Sequence, residues 1–140
     1  MIMQHILNAT EVRANFGLFI DNVVRDKPQA VKRNRDIIMS FSLKQIVDLL
    51  SAYKLTIAYE QTEVGKFVGS IEQIEDIIAE GNSLEELRLE LARHLIEYAH
   101  DYYEDFARYS NAPNRKEHVY YILRVLLEED IENIVGMLNA

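Results

Sequence analysis

The stretch from Asn8 to Ser42 constrains the fold most, because it contains the complete pattern of a helix followed by a hairpin. Asn8 is a suitable N-cap and Glu11 follows three residues later, as in a capping box. The helix is therefore predicted to run from Ala9 to Arg25, and Pro28 excludes further helix. Its apolar residues recur at helical spacing, at Val12, Phe16, Phe19, Ile20 and Val23.

Two short runs rich in β-branched residues follow the proline, Gln29–Arg33 and Asp36–Phe41. They are separated only by Asn34 and Arg35, and asparagine tolerates the left-handed backbone of a tight turn. This pattern predicts a β-hairpin. Met1–Leu7 is predicted to add a strand, and Leu43–Tyr53 a helix capped by Ser42.

The order strand, helix, hairpin resembles the N-terminal domain of Phd/YefM antitoxins. The likeness lies in Thr-Glu-Val-Arg-Ala-Asn-Phe at Thr10–Phe16 and Pro-Gln-Ala-Val-Lys-Arg-Asn at Pro28–Asn34. It covers roughly Met1 to Tyr53. Gly17 stands where the family often has serine, and Asn34 where it usually has glycine. The resemblance implies a homodimer, or a higher oligomer, that binds the operator DNA of its own operon.

The same resemblance implies which residues contact DNA. Arg13 corresponds to the arginine in the first turns of the family's helix, and Arg33 to the arginine before the hairpin turn. Lys32 and Arg35 are their neighbours on the turn. A four-residue basic turn is commonly just exposed surface, so the expectation depends on the family match.

The middle of the chain predicts a second hairpin and a long helix. Lys54–Gln61 and Lys66–Ile71 are the two strands of the hairpin, and Ile74–Gly81 is compatible with helix or strand. Leu84–Tyr109 is predicted to be one helix with two apolar stripes. The first stripe is Leu84, Leu87, Leu91, Leu95, Tyr98 and Tyr102, and the second is Leu89, Ala92, Ile96, Ala99, Tyr103 and Phe106.

Residues Leu55–Asp105 resemble the HicB antitoxin fold. The likeness lies in Phe-Val-Gly-Ser-Ile at Phe67–Ile71 and in Glu-Gly-Asn-Ser-Leu-Glu-Glu-Leu at Glu80–Leu87. Glu72–Ile77 departs from the family's Pro-Glu-Leu-Pro-Gly-Cys. The resemblance implies a partial ribonuclease-H-like fold, a third strand at Ile77–Gly81, and a partner that is a HicA-like or other messenger ribonuclease.

The C-terminal segment begins after a break at Ser110–Pro113. Asn114 and Glu117 have capping-box spacing before one amphipathic helix, and a short final helix follows. The apolar stripes of these two helices must be buried against another surface, which is either the long helix or a toxin. On the second alternative, the candidate toxin contacts are Leu123, Leu126, Ile134 and Leu138.

The formal charge is unevenly divided along the chain, although it totals −8. Met1–Ser42 has six basic and four acidic residues, whereas Leu43–Ala140 has nine basic and nineteen acidic residues. The positive charge of Met1–Ser42 fits DNA, and the acidic charge of Leu43–Ala140 fits a basic protein partner. The acidic residues would also serve simply to keep the protein in solution.

Catalytic chemistry finds little support in the sequence. Glu97, His100, Asp101 and Glu104 share part of a helix surface at spacings that a metal could use, but a solvated acidic face explains them better. Neither a Gly-rich phosphate loop nor an HExxH motif occurs. We expect no catalytic residues, no metal site and no cofactor.

Together these patterns predict an α+β antitoxin with three parts: residues 1–53 for dimerisation and DNA binding, 54–109 as a HicB-like domain, and 110–140 as a helical tail. It would neutralise a toxin stoichiometrically and repress its operon. The alternatives are a metal-dependent ribonuclease-H-like nuclease and a structural adaptor that does not bind DNA. The absence of cysteine and of apolar segments long enough to span a membrane fits a cytoplasmic protein.

Overall fold

The computed structural model describes residues 1–139 and shows an α+β chain with two separate β-sheets. The chain divides into two compact units, Met1–Leu49 and the part from Leu50 onward.

The first unit is built around a three-stranded sheet in the order β1-β2-β3. β1 pairs with β2 in parallel, and β2 pairs with β3 in antiparallel fashion. The helix α1 packs against β1 and β2. The elements are β1 (Ile6–Asn8), α1 (Ala9–Ala14), α2 (Phe16–Arg25), β2 (Gln29–Arg33), β3 (Asp36–Ser40) and α3 (Leu43–Leu50).

The prediction of one helix from Ala9 to Arg25 is wrong, because Asn15 interrupts it. The backbone of Asn15 (φ −144°, ψ 70°) is not helical, so α1 ends there. The Asn15 side chain then accepts a hydrogen bond from the Leu18 N–H (3.3 Å) and caps α2. One residue thus ends the first helix and starts the second.

The predicted first hairpin is confirmed, together with its two-residue turn. Arg33 pairs with Asp36, which leaves Asn34 and Arg35 as the loop. Asn34 has a φ of 56°, the left-handed conformation that a tight hairpin turn requires. Ser42 and Gln45 cap the start of α3 reciprocally: Ser42 Oγ accepts from the Gln45 N–H, and Gln45 Oε1 accepts from the Ser42 N–H.

The second unit packs a long helix on a four-stranded sheet in the order β6-β5-β4-β7. β4, β5 and β6 are antiparallel neighbours, and β7 joins β4 in parallel. The elements are β4 (Leu55–Gln61), β5 (Phe67–Ile71), β6 (Ile74–Gly81), α4 (Leu84–Glu104), α5 (Phe106–Asn111), a 3-10 turn (Lys116–His118), α6 (Val119–Leu126), α7 (Ile131–Met137) and β7 (Leu138–Asn139).

Segment 74–81, which the sequence left open between helix and strand, forms a strand. β6 begins three residues before the third strand that the HicB resemblance implies. Its last residue, Gly81, lies so close to the start of α4 that a Cβ atom there would be 2.6 Å from the Leu87 backbone nitrogen. The side chain of Ser83 accepts from the Glu86 N–H (3.0 Å) and caps α4.

The core of the second unit lies on both sides of α4. Four residues of the first stripe of this helix are fully buried, Leu87, Leu91, Leu95 and Tyr102, and Leu84 and Tyr98 are half-buried. α4 packs against β5 and β6 on one side, and against α6 and α7 on another. Ile122, Val125, Ile134 and Leu138 from the C-terminal segment belong to this core.

Two further expectations on helices are wrong. The predicted helix Leu84–Tyr109 ends at Glu104, because Asp105 adopts a non-helical backbone (φ −127°, ψ 51°) before α5 begins. Asn114 caps no helix, since a 3-10 turn starting at Lys116 precedes α6. Within residues 1–139, no helix has the length and apolar content needed to cross a bilayer.

Candidate functional site

The tip of the first hairpin presents a group of exposed basic side chains. Lys32, Arg33 and Arg35 are all exposed there, at the turn that Asn34 makes possible. Close spacing of cations raises the local positive potential, which is what phosphate binding needs. The tip lies in the unit with the positive charge balance.

A shallow depression of about 440 Å³ runs along one side of this tip. It is lined by Asn8 and Thr10 as well as by Lys32, Arg33 and Asn34, because β1 places Asn8 beside Lys32 in the sheet register. Arg13 is exposed in the last turn of α1, the helix that packs on these strands. The structure thus brings Lys32, Arg33 and Arg35 together, with Arg13 on the adjoining helix.

The first unit also exposes much of its apolar surface. Only Val23, Ala30 and Val31 are buried in Met1–Leu49. Fourteen of the nineteen exposed large hydrophobic residues within residues 1–139 belong to this unit. Most of them lie on α2, β3 and α3 or beside them: Phe16, Leu18, Ile20, Val24, Ile37, Ile38, Met39, Phe41, Leu43, Val47 and Leu49.

The candidate toxin contacts do not form one exposed surface. Ile134 and Leu138 are 4% and 2% exposed and belong to the core of the second unit. Leu138 lies in β7, not in a helix, and pairs with Leu55. Leu123 and Leu126 are half-buried. Ile134 and Leu138 therefore contribute to the core of the same chain, and Ile134 also lines a depression beside α4 together with Leu126.

A polar and aromatic cluster, which the sequence did not single out as a unit, joins α4 to the segment before α6. The Tyr98 hydroxyl lies 2.7 Å from Nδ1 of His118, and the Tyr102 hydroxyl donates to the Arg115 carbonyl (2.8 Å). The Arg115 guanidinium lies over the rings of Tyr98 and Tyr109. It is also 3.6 Å from a carboxylate oxygen of Asp76. The aromatic residues act here mainly as packing.

Burial dominates the electrostatics of this cluster. It raises the pKa of the Tyr98 hydroxyl, against the lowering effect of Arg115. It also lowers the pKa of His118; Arg115 acts in the same direction, and Asp76, Glu117 and Glu75 oppose it. Neutral imidazole and neutral phenol are therefore the favoured forms of the 2.7 Å pair.

The acidic side chains do not assemble into a metal site. Glu97, His100, Asp101 and Glu104 are all exposed on α4. Across residues 1–139, no group of three or more His, Asp or Glu side chains is placed to hold a metal ion.

Comparison with known proteins identifies the family. The family model described as PHD-like, an antitoxin of RelE/RelB toxin–antitoxin systems, matches residues 3–140. The chain belongs to this antitoxin family. No curated protein gives a significant match.

A solved structure supports the assignment over the whole chain. It is the crystal structure of the antitoxin part of a proposed toxin/antitoxin system from Syntrophomonas wolfei subsp. wolfei. The two chains share 46% sequence identity, the match covers 98% of each, and the TM-score is 0.92. Membership of an antitoxin family implies a cognate toxin as partner.

The lowered pKa of His118 should make the stability of this antitoxin sensitive to acid. The unfolded chain protonates His118 near its ordinary pKa of 6.5, whereas the folded chain protonates it only at lower pH. The free energy of unfolding should therefore fall as the pH drops from about 6.5 toward the lowered folded pKa, and this contribution should change no further below it.

Urea denaturation at a series of pH values, followed by circular dichroism, measures this dependence. A His118→Gln variant should show a flatter dependence in that window. A His5→Gln variant controls for the removal of an exposed imidazole. Equal slopes in the wild type and the His118→Gln variant would contradict the assignment.

Proposed function

We propose that this antitoxin neutralises its toxin by stoichiometric binding and represses its own operon by binding operator DNA. The observation that carries the DNA half is the exposed Lys32-Arg33-Asn34-Arg35 tip in the unit of positive charge. The unit from Leu50 onward has eight basic and eighteen acidic residues, which disfavours DNA and favours a basic protein. The protein is then a regulator and not an enzyme.

The two units fit the two family resemblances. The first has the strand, helix and hairpin order of a Phd/YefM N-terminal domain, with its helix in two pieces. The second has three antiparallel strands followed by a long helix, as the HicB resemblance implies. We infer from the latter that the toxin is a HicA-like or other messenger ribonuclease.

The first unit is proposed to form a homodimer. Three buried hydrophobic residues are a small core for forty-nine residues, and such a unit needs additional burial to be stable. The exposed side chains of α2, β3 and α3 supply a surface that a second copy can cover, and like surfaces meet naturally across a two-fold axis.

Light scattering of the full chain tests the dimer. The mass should be at least twice the 16.3 kDa of one chain. Ile38→Glu, on β3, should raise the dissociation constant at least about tenfold, because burial of an isoleucine contributes roughly 1.5–3 kcal/mol. Ile78→Glu is the matched control, since Ile78 is exposed to a similar degree (60% against 62%) on a strand of the second unit.

If the mass at micromolar concentration is that of one chain, the proposed dimer is contradicted. A dimer that tolerates Ile38→Glu would place the interface away from β3.

The operator contacts are proposed to come from Arg13 and Arg33, with Lys32 and Arg35 on the phosphate backbone. Gel shifts with the promoter DNA of the operon test this, with unrelated DNA of equal length as control. Arg33→Ala should weaken specific binding by about 1–3 kcal/mol if it contacts a base edge. Lys32→Ala should chiefly reduce the salt dependence of binding. If both variants give the same gel shifts as the wild type, the hairpin tip is not part of the DNA interface.

A further inference from the structure

The second stripe of α4 is only partly covered by the rest of its unit. Leu89 and Ile96 on this stripe are half-buried, whereas Leu87, Leu91 and Leu95 of the first stripe are fully buried. Ile131 and Val135 of α7 are half-buried beside them. These four residues line two neighbouring depressions between α4 and the C-terminal helices.

The first depression has a volume of about 410 Å³ and lies between the start of α4 and α7. Leu89, Ile131 and Val135 form its apolar floor, and Glu85, Glu86 and Glu132 stand around it. The second, of about 260 Å³, contains Ile96 and Leu126 with the acidic turn Glu128-Glu129-Asp130. Ile131 lines both, so the two depressions are parts of one feature, here named the acid-rimmed groove.

The charge around the acid-rimmed groove has one sign. Six carboxylates line it, while neither depression has a lysine or arginine among its described lining residues. An apolar floor with such a rim matches a partner segment that has apolar side chains flanked by lysine or arginine. A second copy of this groove would bring six more carboxylates against the first six, which costs free energy.

We propose that the acid-rimmed groove is where the cognate toxin docks, through a basic amphipathic segment. This inference rests on the proposed function and gives the toxin interface a place. Leu89 and Ile96 are seven residues apart on α4, which is about 10 Å along its axis, so a segment of about two helical turns fits the floor. Apolar contacts hold the segment, and the carboxylates speed its approach.

Binding kinetics with the product of the adjacent gene, immobilised on a sensor, separate these two roles in the full-length antitoxin. Glu128→Lys/Glu129→Lys should slow association about tenfold at low salt and change dissociation little. Leu89→Asn should accelerate dissociation at least about tenfold, because it removes an apolar floor contact.

Matched controls alter the same chemistry away from the groove. Glu60→Lys/Glu63→Lys makes the same charge change at exposed positions of β4 and its turn, and Ile78→Asn removes an exposed apolar side chain from β6. Both should bind as the wild type does. Circular dichroism and thermal denaturation show that each variant is folded.

The outcomes distinguish this inference from the function on which it rests. If the wild type binds and the groove variants match their controls, the groove is not the toxin site and the proposed function stands. If the wild type does not bind the toxin, both the inference and the proposed function are wrong. If Leu89→Asn lowers the mass of the free antitoxin in light scattering but leaves toxin binding unchanged, a second copy occupies the groove and the inference is overturned.

Discussion

The first unit buries too little of its own apolar surface, and the proposed arrangement of the protein depends on this shortage. Val23, Ala30 and Val31 are its only buried hydrophobic residues, while α2, β3 and α3 expose isoleucine, leucine and phenylalanine side chains. Apolar surface on this scale is unfavourable in water and marks an interaction surface. A dimer would cover it while the polar hairpin tip, with Lys32, Arg33 and Arg35, stays exposed to DNA.

The second unit buries most of its large apolar side chains within one chain. α4 fully buries Leu87, Leu91 and Leu95 and packs against the sheet, and α6, α7 and β7 add to the core. Ile134 and Leu138 are almost fully buried in this core. What remains half-covered is the second stripe at Leu89 and Ile96, surrounded by carboxylates. The proposed toxin surface is the acid-rimmed groove, whose lining includes Leu126 and Ile134 of the C-terminal helices.

Local signals in the sequence predicted the hairpins, the Asn34 turn and the start of α4 at Leu84, because each depends on a few adjacent residues. The breaks at Asn15 and Asp105 were missed, since apolar periodicity continues across a single non-helical residue. β7 has two residues and a partner more than eighty positions away, so no local pattern indicates it. The acid-rimmed groove could not be predicted from the sequence either, because it depends on how α7 packs against α4.

The central claim is that one chain neutralises a toxin and, through a separate surface, represses its operon. Growth of cells that express the product of the adjacent gene, with the full-length antitoxin supplied in trans, tests it most directly when an operator-driven reporter is read in the same cells. The wild type should restore growth and silence the reporter, and Arg33→Ala should restore growth while the reporter stays active. Failure of the wild type to restore growth, or loss of growth and repression together in Arg33→Ala, would contradict the account.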